Sequence, residues 1–414
     1  MILTMLRTMR AGWLVVLLAL SPAALARDQA LLAAATAEQP AVLATLEKLV
    51  AIETGTGDAQ GMAAMAAYLE GELRGLGASV TRHPSAAGVV GDIVVAQLSG
   101  RGQRRILLMA HMDTVYPRGT LAKAAFRVEG NRAFGPGIAD AKGGIAVILH
   151  ALRLLKARGF DDYATLTVLI NADEERGSLG SRDLIVATAR EHDVVLSFEP
   201  TLALRELLVL ATSGSATARA TIRGRAAHAG ANPEQGVNAM VEAADFILRT
   251  LDLDDRAGAF RFNWTTGSGG KVGNVIPDAV TIEANIRYLD PARLDAAFRV
   301  LEERAARPRL EGARIQVERI IGRPAFVADA GSRALIEKAR AIYREIGAEL
   351  AVVPVTGGGT DAAYAAQAGR PVLEALGLPG FGYHSDQAEY VLVDAIPRRL
   401  YLAVRMIGDV SSGR

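Results

Sequence analysis

The apolar run Ala164–Ile170 (ATLTVLI) breaks off into Asn171-Ala172-Asp173-Glu174-Glu175-Arg176-Gly177-Ser178. A run this short, rich in Leu, Ile, Val and Thr, reads as a buried strand. Two adjacent carboxylates, Glu174 and Glu175, therefore stand where a strand leaves its sheet. In open α/β sheets that rim is where ligands bind. Adjacent like charges repel there, and isolated carboxylates are costly to bury. Something positive belongs beside them.

Other apolar runs end the same way. Ile106–Met109 (ILLM) reads as a strand and leads into His111 and Asp113, which project on one side of the strand end. Asp193–Phe198 (DVVLSF) is another strand, and Glu199-Pro200 follows it. The segment Gly135-Pro136-Gly137-Ile138-Ala139-Asp140-Ala141-Lys142-Gly143-Gly144 opens a helix from Ile145 to about Lys156. Asp140 just before that helix is either an N-cap or part of a site. Neither this segment nor Gly267–Gly273 (GSGGKVG) is a phosphate loop, because the lysine lacks the Ser or Thr that must follow it.

Helical stripes over Ala41–Ile52 and Met62–Leu76 are core, and Val89–Leu98 reads as a strand. A short helix is expected near Ser181–Arg190. From Ser215 the pattern changes to strand Thr217–Arg223, helix Gly236–Thr250, strands Phe260–Thr266 and Val280–Tyr288, helix Pro291–Ala306 and strand Arg314–Ile321. That βαββαβ order is the ferredoxin-like split. The α/β character then resumes with a helix through Leu335, Ala339, Ile342 and Ile346, a strand Pro371–Ala375 and a helix Ala395–Ile407. The division expected is 27–213 and 326–414 for one domain, interrupted by 214–325.

The chain has 414 residues, half of them hydrophobic, which favours two domains over one. Its formal charge is +1 and it contains no long basic run, so nucleic-acid binding is not expected. Residues 1–26 read as a cleavable signal peptide: Arg7 and Arg10, the apolar run Gly12–Leu20, then Ala24-Leu25-Ala26. Export to the periplasm or beyond follows, with no stable membrane anchor because the run is too short to span. There is no cysteine, so disulfides and thiolate ligands are excluded. His150 lies on the apolar face of a helix and is expected in the core; His83 and His192 match no motif and are expected at the surface.

His111, Asp140, Glu175, Glu199 and a later His384 make a nitrogen–oxygen donor set suited to one or two borderline dications. A carboxylate can bridge two such ions, and two ions acidify a shared water towards neutral pH. Glu174, beside a ligand but not itself one, fits a general base.

The His111-x-Asp113 pair, the Asp140 segment, Glu174-Glu175, Glu199, Ala227-His228-Ala229-Gly230, Gly322-Arg323-Pro324, Thr356–Ala362 (TGGGTDA) and the stretch around His384 together resemble the M20 metallopeptidases. The likeness is nearest to the bacterial glutamate carboxypeptidases of carboxypeptidase G type. It implies a zinc-exopeptidase-like mixed α/β sheet flanked by helices, with an inserted ferredoxin-like dimerisation or lid domain. It implies two zinc ions per subunit, one on His111 and Glu199, the other on Glu175 and His384, with Asp140 bridging through a cis peptide to Ala141. Glu174 would be the base, Asp113 the orienter of His111, and His228 the group that polarises the scissile carbonyl, from the opposite subunit of a homodimer. Arg323, Asn274, Arg287 and Gly358 would contact a substrate with a free C-terminal carboxylate. The implied activity is removal of a C-terminal glutamate from acyl or aroyl conjugates such as pteroyl-glutamates. Leu207 departs from the pattern, standing near where those enzymes carry a lysine. Alternatives are another M20 hydrolase with a nonpolar leaving residue, or a non-catalytic binding protein.

Overall fold

The computed structural model describes residues 28–413 apart from 256, 258 and 259; the expected signal peptide lies outside them. A six-stranded sheet organises the larger part of the chain, in the order Ser79–Pro84, Asp92–Ser99, Thr165–Asn171, Arg105–His111, Val194–Ser197, Val372–Leu373. The first two pairings are antiparallel and the other three parallel, which is the mixed sheet expected. Its strands Thr165–Asn171, Arg105–His111 and Val194–Ser197 are buried almost end to end, as strands covered on both faces must be. Helices Gln29–Val50, Gly144–Ala157 and Ile396–Ser411 pack on one another, and Ala59–Gly75 packs on the Asp92–Ser99 strand.

The first helix begins at Gln29 rather than Ala41. Its Ala-rich first half has high helix propensity but little apolar contrast, so periodicity undercounts it. Asp28 caps it, accepting from Leu31 N at 2.8 Å. The strand Ser79–Pro84 was not anticipated, because it lies at the sheet edge with no buried residue to mark it. His192 is a correction: it is buried, with Nδ1 donating to Thr188 O and Nε2 against Thr167 Oγ1, each at 2.7 Å. The polar pairing lets an imidazole sit inside where sequence placed it outside. His150 is in the core as expected, held by Thr45 and Glu38 at 2.8 and 2.6 Å.

Between Gly214 and Ile321 a second, four-stranded antiparallel sheet forms, in the order Phe260–Gly269, Ala279–Tyr288, Gly214–Arg223, Arg314–Ile321. With helices Ala239–Thr250 and Pro291–Ala305 it follows the βαββαβ order read from sequence. Its buried apolar residues, from Ala216 to Ala305, make a cluster separate from the large core. Where the chain passes between the two cores, Ala211–Thr212 pairs antiparallel with Phe326–Val327.

Candidate metal centre

Three ligand candidates come from the same ends of neighbouring parallel strands. His111 ends Arg105–His111, Glu175 lies just past Thr165–Asn171 with Glu174 before it, and Glu199 lies just past Val194–Ser197. Asp140 comes from the turn Ile138–Gly143 that precedes helix Gly144–Ala157, and its peptide bond to Ala141 is cis. Gly144 lets that helix abut the strand before Glu199: a Cβ there would lie 1.9 Å from Phe198 O. His384 follows the short strand Pro379–Phe381.

These side chains form two groups, His111–Asp140–Glu199 and Asp140–Glu175–His384, each able to hold a metal ion. His111 Nε2 lies 3.0 Å from Asp140 Oδ1 and 3.6 Å from Glu199 Oε2. His384 Nε2 lies 3.3 Å from Asp140 Oδ2 and 3.0 Å from Glu175 Oε2. The two oxygens of Asp140 thus serve different groups, which is the disposition of a bridging carboxylate. Glu175 Oε1 is buried and has no hydrogen-bond partner among the described residues. The donor set is imidazole and carboxylate only, which suits zinc.

The electrostatics show what the cluster lacks. Burial pushes Glu174 well above the usual carboxylate range, against the pull of the Arg323 guanidinium. Burial raises Glu175 and Glu199 as well. Asp140 is lowered, because hydrogen bonds from His111 and His384 outweigh its burial. Burial disfavours the His111 cation, yet Glu199, Asp113 and Asp140 hold its pKa well above the imidazole range. Hydrogen bonds to Asp140 and Glu175 lift His384 to about 10. Carboxylates this crowded draw protons onto both imidazoles, and dications meet the same demand.

A second layer holds the first. His111 Nδ1 donates to Asp113 O at 3.0 Å and lies 3.3 Å from the Asp113 carboxylate, leaving Nε2 to the ligand group. Asp113 also accepts from Glu174 N, Glu175 N and Thr56 Oγ1 at 3.0, 3.2 and 2.8 Å. One carboxylate thus ties His111, Glu174 and Glu175 together. Glu174 belongs to neither ligand group, and Arg323 Nη2 contacts its carboxylate at 2.9 Å.

Two supporting residues were not singled out from sequence. Glu389 accepts from Gly137 N, Ala139 N and Asp140 N at 2.8, 2.7 and 3.0 Å, clamping the turn that carries Asp140. Asp361 accepts from Arg323 Nη1 at 2.5 Å, from Asn171 Nδ2 at 2.7 Å and from Ser178 Oγ. Its only sequence signal was its place in the TGGGTDA stretch.

Of the expected substrate contacts, Gly358 lines a cavity beside the ligands, together with Glu174, Glu175, Glu199 and His384. Arg323 is buried with its Nη atoms on Glu174 and Asp361. His228, Asn274 and Arg287 belong to the smaller sheet region and do not line that cavity. His228 and Asn274 are neighbours, joined through Ala229 N donating to Asn274 O at 2.9 Å. His228 is exposed, and its Nδ1 accepts from Gly230 N and Ala231 N at 3.2 and 3.0 Å, so the Nε2 edge carries the proton. Arg287 Nε donates to Asn285 at 3.2 Å.

The family model described as Peptidase family M20/M25/M40 matches residues 107–409. The chain belongs to that family. It is 58% identical over 388 residues to Carboxypeptidase G2 of Pseudomonas sp. (strain RS-16), covering 94% of each chain. In fold it is similar to a tripeptidase from Staphylococcus aureus, with a TM-score of 0.78 at 22% identity, covering 91% of this chain and 99% of that one. It is also similar to a dinuclear metal-binding peptidase of family M20 from Bacillus subtilis, with a TM-score of 0.66 at 16% identity, covering 90% and 99%. Members of this family thus include a protein with two metals, matching the number of donor groups found here.

Proposed function

We propose that the protein is a di-zinc metallocarboxypeptidase that hydrolyses the amide between an acyl or aroyl group and a C-terminal amino acid. Glutamate, as in pteroyl-glutamates, is the leaving residue that the sequence resemblance implies. The observation that carries this reading is Asp140, which turns one oxygen to each donor group while Glu174 stands beside both and belongs to neither.

Zinc ions held by His111, Glu199, Asp140, Glu175 and His384 would polarise the amide carbonyl and make water acidic enough to react at neutral pH. Glu174 takes the proton as the water oxygen adds to the carbonyl carbon. It then gives that proton to the leaving nitrogen as the C–N bond breaks, so one carboxylate serves as base and then acid. Burial favours its protonated form and the Arg323 charge favours its ionised form, so it can alternate between the two. A guanidinium carries five donors, so Arg323 keeps capacity for the substrate's terminal carboxylate.

In this reading residues 27–213 and 326–414 are the catalytic domain, and 214–325 are a lid that also dimerises. Asn274 and Arg287 then bind substrate, and His228 reaches the scissile carbonyl from the partner subunit. Residues 1–26 are removed on export, so the mature protein starts at Arg27. The test is Glu174→Ala: turnover should be lost while two zinc ions per chain are retained. Undiminished turnover in that variant would rule out the mechanism.

A further inference from the structure

The cavity beside the ligands has a volume of about 440 Å³. One wall is a two-stranded parallel ribbon, Leu207–Val209 with Ala351–Val353. Side chains two apart on a strand share a face, and Leu207, Val209 and Val353 all line the cavity. Leu207, Val209 and Ala351, with Val353 against them, form a hydrophobic cluster belonging to neither core. Leu202 and Val355 extend the apolar lining, and each leaves a large part of its surface uncovered. An apolar wall that serves no core and opens beside a catalytic centre is suited to an apolar ligand group.

The polar surroundings point the same way. Thr201 spends its hydroxyl on the wall itself, donating to Leu207 O and accepting from Leu207 N, both at 2.8 Å. The nearby cations are turned elsewhere. Arg205 is exposed and pairs with Glu349 at 2.8 Å, while Arg398 and Arg399 pair with Glu206 at 2.9 and 3.4 Å. None of the three lines the cavity. The ionisable groups that do line it, His384 and Tyr383 apart, are carboxyls, with Glu374 added to those of the site. A side-chain carboxylate entering here would face acids and aliphatic carbon, and among the described residues no lysine or arginine lines the cavity.

The cavity also indicates which part of a substrate enters it. Its Gly358–Gly359 edge lies against Arg323: a Cβ on Gly359 would sit 3.0 Å from Arg323 Cδ. A terminal carboxylate drawn to that guanidinium leaves its own Cα at this edge, one bond away. The side chain on that Cα then extends towards Leu207, Val209 and Val353.

We propose that the cavity receives the side chain of the leaving amino acid, and that its aliphatic wall makes leucine, methionine and phenylalanine conjugates better substrates than glutamate conjugates. The inference rests on the carboxypeptidase reading above and names the substrate class of that same site.

The test is a panel of N-benzoyl-Leu, N-benzoyl-Met, N-benzoyl-Phe and N-benzoyl-Glu with the zinc-loaded full chain. We expect kcat/KM for the apolar conjugates to exceed that for glutamate by about 10-fold or more, the scale on which apolar pockets discriminate. Leu207→Lys should shift the leucine-to-glutamate ratio towards glutamate by at least about 10-fold. Val353→Thr, which keeps the shape of the wall, should lower the ratio in the same direction and guards against misfolding of the lysine variant. A wild-type ratio at or below one overturns the proposal. So does a larger response of Leu207→Lys to the acyl group, varied from acetyl to benzoyl, than to the leaving residue. Calorimetric titration of free leucine and glutamate supplies a readout without turnover: leucine should bind more tightly, and the reverse order overturns the assignment. If no conjugate is hydrolysed but leucine still binds preferentially, the cavity assignment stands and the carboxypeptidase reading fails.

Discussion

Arg323 Nη2 lies 2.9 Å from a carboxylate oxygen of Glu174 and 2.6 Å from its backbone oxygen, so one guanidinium holds both ends of the proposed base. Both side chains are buried, and truncating one partner of such a pair leaves an uncompensated charge. Arg323→Met should therefore reduce kcat/KM by about 100-fold or more, by analogy with the loss of a positioned acid–base group. Arg323→Lys keeps the charge but lacks the fork, and should recover only part of the loss. Steady-state kinetics beside metal analysis checks this, since the metal content of both variants should stay near wild type.

Asp113 is the common anchor of His111, Glu174 and Glu175. Asp113→Asn preserves its size and removes the charge that orients the imidazole. Metal affinity should fall about 10–100-fold, as is usual for such partners. Competition with a chromophoric chelator measures it directly.

Dialysis against a strong chelator should abolish activity and lower the melting temperature, because ions that bind only the folded chain stabilise it. Re-added zinc should restore both. Asp140→Asn should retain less than two ions per chain even with zinc in excess, since Asp140 belongs to both donor groups.

Burial pushes the Glu374 carboxyl up to about 8. The folded chain therefore holds a proton that the unfolded chain releases near pH 4.5, the ordinary value of the group. Between these values the native state binds more protons than the unfolded one, so this group's contribution to stability falls as pH rises. Its limiting slope is ~1.4 kcal/mol per pH unit. In the metal-free protein, Glu374→Gln should gain stability relative to wild type from about pH 5 to about pH 8 and hold that gain above. Urea unfolding at several pH values tests this; a difference independent of pH would contradict it.

If His228 acts across a dimer, His228→Ala and Glu174→Gln should each be inactive alone. Mixed dimers would then regain turnover, because one of the two sites would combine an intact base with an intact histidine. Unfolding and refolding the mixture supplies the assay, and sedimentation gives the oligomeric state.

Much of the site was legible because each ligand strand announces its own end. His111, Glu175 and Glu199 each follow an apolar run closely enough for the strand and its rim to be read together. The βαββαβ stretch was legible for a similar reason, since alternation and helical stripes change places at short intervals. Glu389 and Asp361 had no such marker. Glu389 grips Gly137 N from 252 positions away, a proximity that only the folded chain creates. His192 sits between Glu191 and Asp193, so its neighbours advertised solvent while Thr167, on a distant strand, offered a buried partner.

The paired crossing strands have a topological consequence. Ala211 faces Val327 and Thr212 faces Phe326, so the chain leaves the large core and returns to it at one spot. The whole smaller sheet is a detour whose start and finish coincide, and every proposed ligand lies outside it, as does Glu174. Arg323 does not; it sits on the return limb, three residues before the crossing at Phe326. Excising the detour as far as Arg323 would spare every proposed metal donor and still remove the charge that faces the proposed base, so ion capture and proton handling should be separable by a single deletion.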